Sequence, residues 1–172
     1  NPYANRDPRL AMSILTNNVE FKDRTIEAWT GGRDGKGVIH ATRTGYYIYK
    51  FIDPNLDLLQ NRTSVHHWVI MRYAEILLSY AEAMNEAYGP TGNVGYRLNA
   101  VRALNQVRNR VGVEMPAVPT AISKEELREK IRNERRVELA FEDHRFWDVR
   151  RWMIAPETLG APLRGVEITK IS

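Results

Sequence analysis

A carboxylate on the apolar stripe of a helix constrains a fold more tightly than any aliphatic residue, because it can be buried only together with a cation. In the stretch NERRVELAFEDHRFWDVRRW, Asn133 to Trp152, two glutamates sit on such a stripe. Leu127, Ile131, Glu134, Glu138, Phe141 and Arg145 follow alternating steps of four and three, a heptad-like seam. Like charges four residues apart repel by a few tenths of a kcal/mol on an open surface. Semi-buried and unpaired, they would be far more costly. Guanidinium groups must therefore approach Glu134 and Glu138. The next helix is expected to bring them, because Arg145, Arg150 and Arg151 alternate there with Phe146, Val149 and Trp152. Arginine suits the role: its fork binds a carboxylate bidentately and its plane stacks on aromatic rings.

Two functional readings compete with this structural one. An acid/base pair, Glu134 with Glu138 or Asp148, needs one carboxyl with a raised pKa, whereas a crowd of arginines holds both ionised. A nucleic-acid face needs unpaired basic residues. Here 25 basic residues stand against 21 acidic ones, and each arginine of the stretch has an acidic neighbour. The reading adopted is an ion-pair network between helices, with no catalytic residue and no nucleic-acid partner.

The rest of the chain gives that network its frame. Ile70, Tyr73, Ala74, Leu77, Ala81, Met84 and Tyr88 form one helical stripe, predicting a helix from about His67 that stops at Gly89-Pro90. A second is expected from about Gly95 to Arg110, with Ala100, Leu104, Val107 and Val111 on one face. A third, opened by a Ser123–Glu126 capping box, runs to about Glu142. A fourth spans about His144 to Met153. Residues 1–61 read as irregular, broken by prolines and the Gly31–Gly37 loop, with a short β segment in TGYYIYKFI, Thr44 to Ile52. The fold class expected is mostly α: tetratricopeptide-like antiparallel helix pairs over 62–155, an irregular N-terminal third containing short β segments, and a tail at 156–172, all within one region.

With no cysteine, disulfides, thiol catalysis and cysteine-based zinc sites are excluded. No apolar run approaches the ~20 residues of a membrane-spanning helix. The start at Asn1 rather than Met suggests a processed protein or a piece of a longer one.

Five segments together resemble the SusD/RagB family: NPYANRDPRL, TGYYIYKF, RYAEILLSYAEAMNEA, ALNQVRNRVG and ISKEELREKIRNERRVELAFEDHRFWDVRRW. They occur in the family's order. The resemblance is to the C-terminal part of a longer protein whose lipid-bearing N-terminus lies outside this chain. It implies a cell-surface, outer-membrane lipoprotein of Bacteroidetes-type bacteria, without enzyme activity. Such a protein binds an oligosaccharide and works with a SusC-like TonB-dependent transporter in nutrient uptake. The resemblance also marks Arg72, Glu75, Glu134, Arg135, Glu138, Arg145, Asp148 and Arg151 as scaffold charges. The alternative is a helical-repeat scaffold that binds a peptide or a partner protein.

Sugar recognition uses aromatic faces beside planar polar groups. Trp29, next to the glycine loop, and Tyr46, Tyr47 and Tyr49 are the candidate ligand contacts. One side of the tyrosine strand is expected to be buried, since strand side chains alternate. Trp68 reads as a packing anchor. His66-His67 has no third ligand at a useful spacing, so no metal or other cofactor is expected. Asp7 is expected to cap its turn and pair with Arg6 or Arg9.

Overall fold

A computed structural model of the chain describes residues 2–171. In chain order its elements are α1 (Arg9–Ser13), β1 (Ile14–Leu15), β2 (Glu20–Phe21), β3 (Arg24–Thr25), β4 (Tyr47–Ile48), a 3-10 turn (Leu58–Gln60), α2 (Tyr73–Tyr88), α3 (Ala100–Arg108), α4 (Lys124–Glu138), α5 (His144–Arg151) and α6 (Ala155–Leu159). The chain is mostly helical, as its periodicity predicts, and it forms two compact units.

The first unit combines the segment ending at Arg9 with Trp68–Arg151. Its core is where α2 meets α3 and α4. Leu77, Leu78, Ala81 and Met84 pack on Ala100, Val101, Leu104 and Val107 of α3 and on Leu127 and Ile131 of α4. Alanine at positions 81, 100 and 103, all fully buried, lets these helices approach closely.

Local chemistry sets where each helix begins and ends. The helix α2 starts at Tyr73, later than the periodicity suggests, because Arg72 is held in extended backbone at φ −144°. It stops at Gly89, whose φ of 75° is available to glycine and whose N–H bonds to the Asn85 carbonyl. The helix α3 is shorter than expected at both ends, opening where the Asn99 side chain accepts the Arg102 N–H at 2.8 Å. The capping box of α4 is present: Ser123 accepts the Glu126 N–H, and Glu126 accepts the Ser123 N–H. That helix ends at Glu138, before Phe141 and Asp143 turn to φ 63°. Asn105 clamps the loop between α3 and α4, accepting from Val118 N–H at 2.8 Å and donating to its carbonyl at 2.9 Å.

The second unit combines Leu10–His67 with the segment from Trp152 onward. Its strands are short. β1 pairs antiparallel with β4, Leu15 opposite Tyr47, so the expected β segment contributes only Tyr47 and Ile48. β2 and β3 form a hairpin around Lys22-Asp23, whose φ values of 49° and 60° are those of a type I′ turn. Leu15, Ile26 and Ala28 make a small core with Phe21, Tyr47, Tyr49 and Ile168 packed around it. The C-terminal segment closes this unit through Val166 N–H to the Thr44 carbonyl and Thr30 N–H to the Ile168 carbonyl, both 2.8 Å. Within that segment lies the short helix α6, with Pro156 in its first turn.

Candidate functional site

Glu134 and Glu138 lie on the buried face of α4, 1% and 2% exposed. Their cations come from elements other than α5. Arg9, itself 4% exposed, donates from one nitrogen to Glu134 at 2.6 Å and to Glu138 at 2.8 Å. The remaining nitrogens of the same guanidinium hold Asp7 at 3.0 and 2.6 Å. Arg108, at the end of α3, reaches Glu134 at 2.7 Å and the Pro116 carbonyl at 2.9 and 3.0 Å. Arg110 also donates to Glu138. Arg72 spans the end of α4, meeting Glu138 and its carbonyl, and both oxygens of Glu142, each at 2.7 Å.

Among the described residues, four carboxylates (Asp7, Glu134, Glu138, Glu142) thus face four guanidiniums (Arg9, Arg72, Arg108, Arg110), and their charges balance. The balance decides the chemistry. Burial alone pushes the Glu138 carboxyl up. Hydrogen bonds from Arg110, Arg72 and Arg9 outweigh it and bring the pKa down to about 2. Arg9 is shifted the opposite way for the same reason: burial disfavours its charge, and bonds to Asp7, Glu134 and Glu138 raise its pKa regardless. Asp7 is held below its ordinary value by its bond to Arg9. A general acid needs a carboxyl that keeps its proton near neutrality, and Glu138 has lost that ability. A cleft of about 890 Å³ opens beside the cluster, lined by Asp7, Arg9, Ile122, Glu125 and Lys130 among others. Glu134 lies along it with its two oxygens already held by Arg9 and Arg108.

The other predicted scaffold charges form a second cluster. Arg135 bonds Asp148 at 2.9 Å and the Ser79 hydroxyl at 3.1 Å. Arg151 joins Asp148 to Glu82 of α2. Glu75 faces His144 at 3.6 Å. Arg145 stands apart. Burial and the neighbouring Arg136 lower its pKa against the pull of Asp148, and it makes no ion pair among the described residues. Arg150 lies 3.4 Å over the Phe146 ring, the stacking expected of α5.

Sequence reasoning sought the partners of Glu134 and Glu138 in α5, but there Arg151 serves Asp148 and Glu82, and Arg150 stacks on Phe146. Arg9, Arg108 and Arg110 went unnoticed as partners. The one available signal was Asp7, two residues from Arg9 in a short proline-flanked segment.

The aromatic candidates fall in the second unit. Tyr47 and Tyr49 share the inward face of β4 and its extension. The Tyr47 hydroxyl donates to the Asp34 carbonyl at 2.8 Å, and Tyr49 meets Phe21 edge-on at 5.9 Å. Tyr46 is half-buried, as is Trp29, whose ring lies 5.2 Å from the Lys170 ammonium. The glycine loop wraps Trp29 closely. A Cβ on Gly35 would stand 2.1 Å from the Trp29 carbonyl oxygen, and one on Gly32 would stand 2.9 Å from the indole nitrogen. Trp68, expected to anchor packing, is instead 63% exposed, in the loop that precedes α2. His66 meets the Phe51 ring edge-on at 6.0 Å. No group of three or more metal-ligating side chains occurs among the described residues.

The SusD family model matches residues 1–170, and the chain belongs to this family. It is 34% identical over 120 residues to SusD-like protein P2 of Formosa agariphila, covering 67% of this chain and 22% of that one. It is similar to the crystal structure of a SusD-like protein from Bacteroides fragilis, with a TM-score of 0.74 and 34% identity over 98% of this chain and 32% of that one. A SusD-like carbohydrate binding protein from the same organism gives a TM-score of 0.71 and 33% identity, over 91% and 31%. The chain therefore spans less than a third of the length of these relatives.

Proposed function

We propose that this chain is the C-terminal scaffold portion of a longer, non-enzymatic oligosaccharide-binding lipoprotein of the outer membrane. In this reading the whole protein sits at the cell surface and hands its glycan to a SusC-like TonB-dependent transporter. The observation that carries the reading is the family match over residues 1–170, joined to the structural similarity to a SusD-like carbohydrate binding protein. The charge clusters support a structural role for the helical unit, since their carboxylates are neutralised and enclosed. Within this chain, Trp29 and Tyr46 are the side chains assigned to stack on sugar rings. Tyr47 and Tyr49 hold the strand that carries Tyr46.

The test is a glycan panel measured by calorimetry with the full-length protein. Binding to at least one oligosaccharide is expected, with Trp29→Ala or Tyr46→Ala weakening it roughly two- to tenfold, the scale of one lost stacking contact. Silence across plant, host and storage glycans would remove the sugar assignment. Full binding by both variants would move the site off these residues.

A further inference from the structure

The helical unit leaves one side open. Trp68, Val69, Ile70, Met71, Tyr73 and Ile76 are 63, 41, 84, 64, 70 and 47% exposed. Soluble surfaces scatter such residues singly; a continuous run of them marks a surface that something covers. A second apolar group lies next to it. Phe141, Phe146 and Trp147, exposed by 40, 50 and 66%, wall a cleft of about 450 Å³ together with Leu139, Asp143 and Arg145. The two surfaces adjoin, because Arg72 within the first grips Glu142 at 2.7 Å and Glu75 faces His144 at 3.6 Å. Asp143 and Arg145 both line the cleft without pairing with each other. Neither Arg136 nor Arg145 has a carboxylate within ion-pair distance among the described residues, and the charge of Arg136 repels that of Arg145 while Asp148 attracts it.

We propose that this band and cleft form an intramolecular seam, filled by an amphipathic segment of the same polypeptide from outside residues 1–172 that brings a carboxylate to Arg136 and Arg145. The inference rests on the reading above that the chain is a portion of a longer protein. Length argues for this occupant: 98% of the chain matches 32% of a solved SusD-like protein, so a polypeptide of that size has some two-thirds of its length outside the part seen here. Chemistry favours an apolar occupant at the centre of the band, where Ile70, Met71 and Ile76 are aliphatic and best covered by apolar side chains. The rings of Trp68, Tyr73, Phe146 and Trp147 are faces a sugar also stacks on, which makes added oligosaccharide a necessary arm of the test. Charge complementarity fixes the polar edge of the segment, since a carboxylate there would relieve the repulsion between the two guanidiniums.

The test uses the full-length polypeptide with a benzophenone side chain placed at Ile70 and, separately, at Trp147. An equal mixture of ¹⁵N-labelled and unlabelled protein is irradiated, and the cross-linked peptides are mapped by mass spectrometry. At both positions the dominant products should join residues outside 1–172 and be isotopically unmixed. Isotopically mixed products would assign the seam to a second copy, and products on a co-purified transporter would assign it to that partner. Suppression of the products by added oligosaccharide would make the cleft a sugar site. Each of these outcomes, or the absence of cross-links, overturns the proposal. Arg145→Glu should lower the Trp147 yield several-fold while leaving that at Ile70 in place; an unchanged yield at Trp147 removes the carboxylate from the proposal. Glycan affinity measured on the same samples reads the functional assignment separately, since loss of sugar binding leaves the cross-links intact.

Discussion

Replacing Glu138 by glutamine keeps the shape of the side chain and removes its charge. In the native protein its oxygens accept from Arg9 at 2.8 Å, from Arg72 at 2.7 Å and from Arg110. The amide would turn an N–H₂ donor toward guanidinium donors. Arg9 would keep Asp7 and Glu134, and Arg72 would keep Glu142, but the cluster would carry an uncompensated positive charge. Breaking a buried pair in this way costs about 3–5 kcal/mol. Arg110, the most exposed of the three, can turn to water, which favours the lower end. Proton linkage gives a similar figure. The gap between the ordinary 4.5 and the folded value of about 2, at ~1.4 kcal/mol per pH unit, amounts to about 3 kcal/mol. Because the folded pKa is the lower one, this stability is fully present above pH ~4.5 and drains away as pH falls toward 2. Urea unfolding followed by circular dichroism should therefore show Glu138→Gln destabilised by about 3 kcal/mol at pH 7, or roughly 6–12 °C in Tm for a chain of this size. Between pH 4.5 and 2 the variant should lose less stability than the wild type. Unfolding midpoints equivalent to within ~0.5 kcal/mol, or matching acid slopes, would refute the claim that this carboxylate is a neutralised strut.

Four further outcomes follow from the same structure. Arg136→Ala, at an exposed position with no ion pair among the described residues, should shift the stability of the isolated chain by no more than about 0.5 kcal/mol in the same assay. Ser123→Ala removes the cap of α4 and should cost about 1 kcal/mol. Gly35→Ala forces a methyl group against the Trp29 carbonyl; a loss of roughly 1–3 kcal/mol and altered Trp29 fluorescence are expected, and an unperturbed spectrum would show that the loop has room. Asp23→Gly relieves a left-handed residue in the β2–β3 turn and should raise the unfolding midpoint slightly, by up to ~1 kcal/mol.

What the sequence disclosed was local. The stripe of α2, its stop at Gly89, the Ser123 cap and the burial of Glu134 and Glu138 all follow from spacings of three or four residues, and the structure contains each of them. The need for cations beside those glutamates was also legible, because an unpaired buried carboxylate is untenable. Their source was not. Arg9 and Glu134 are 125 positions apart, and no helical period connects them. The inward face of the tyrosine strand was foreseen from alternation, but Tyr47 and Tyr49 were not told from Tyr46, since the register against Leu15 is set by a partner strand thirty-odd residues away. Trp68 misled for another reason. A large ring before an amphipathic stripe reads as core, although it lies in the loop outside the helix and the surface it belongs to is open.

The reach of Arg9 also orders events during the protein's synthesis. Its guanidinium cannot find Glu134 and Glu138 until α4 has emerged, so for more than a hundred residues of chain growth that segment has no acceptor from α4. Closing so wide a loop slows folding more than it weakens the finished structure. The segment ending at Arg9, made well before α4, is thus among the last parts of the helical unit to lock into place.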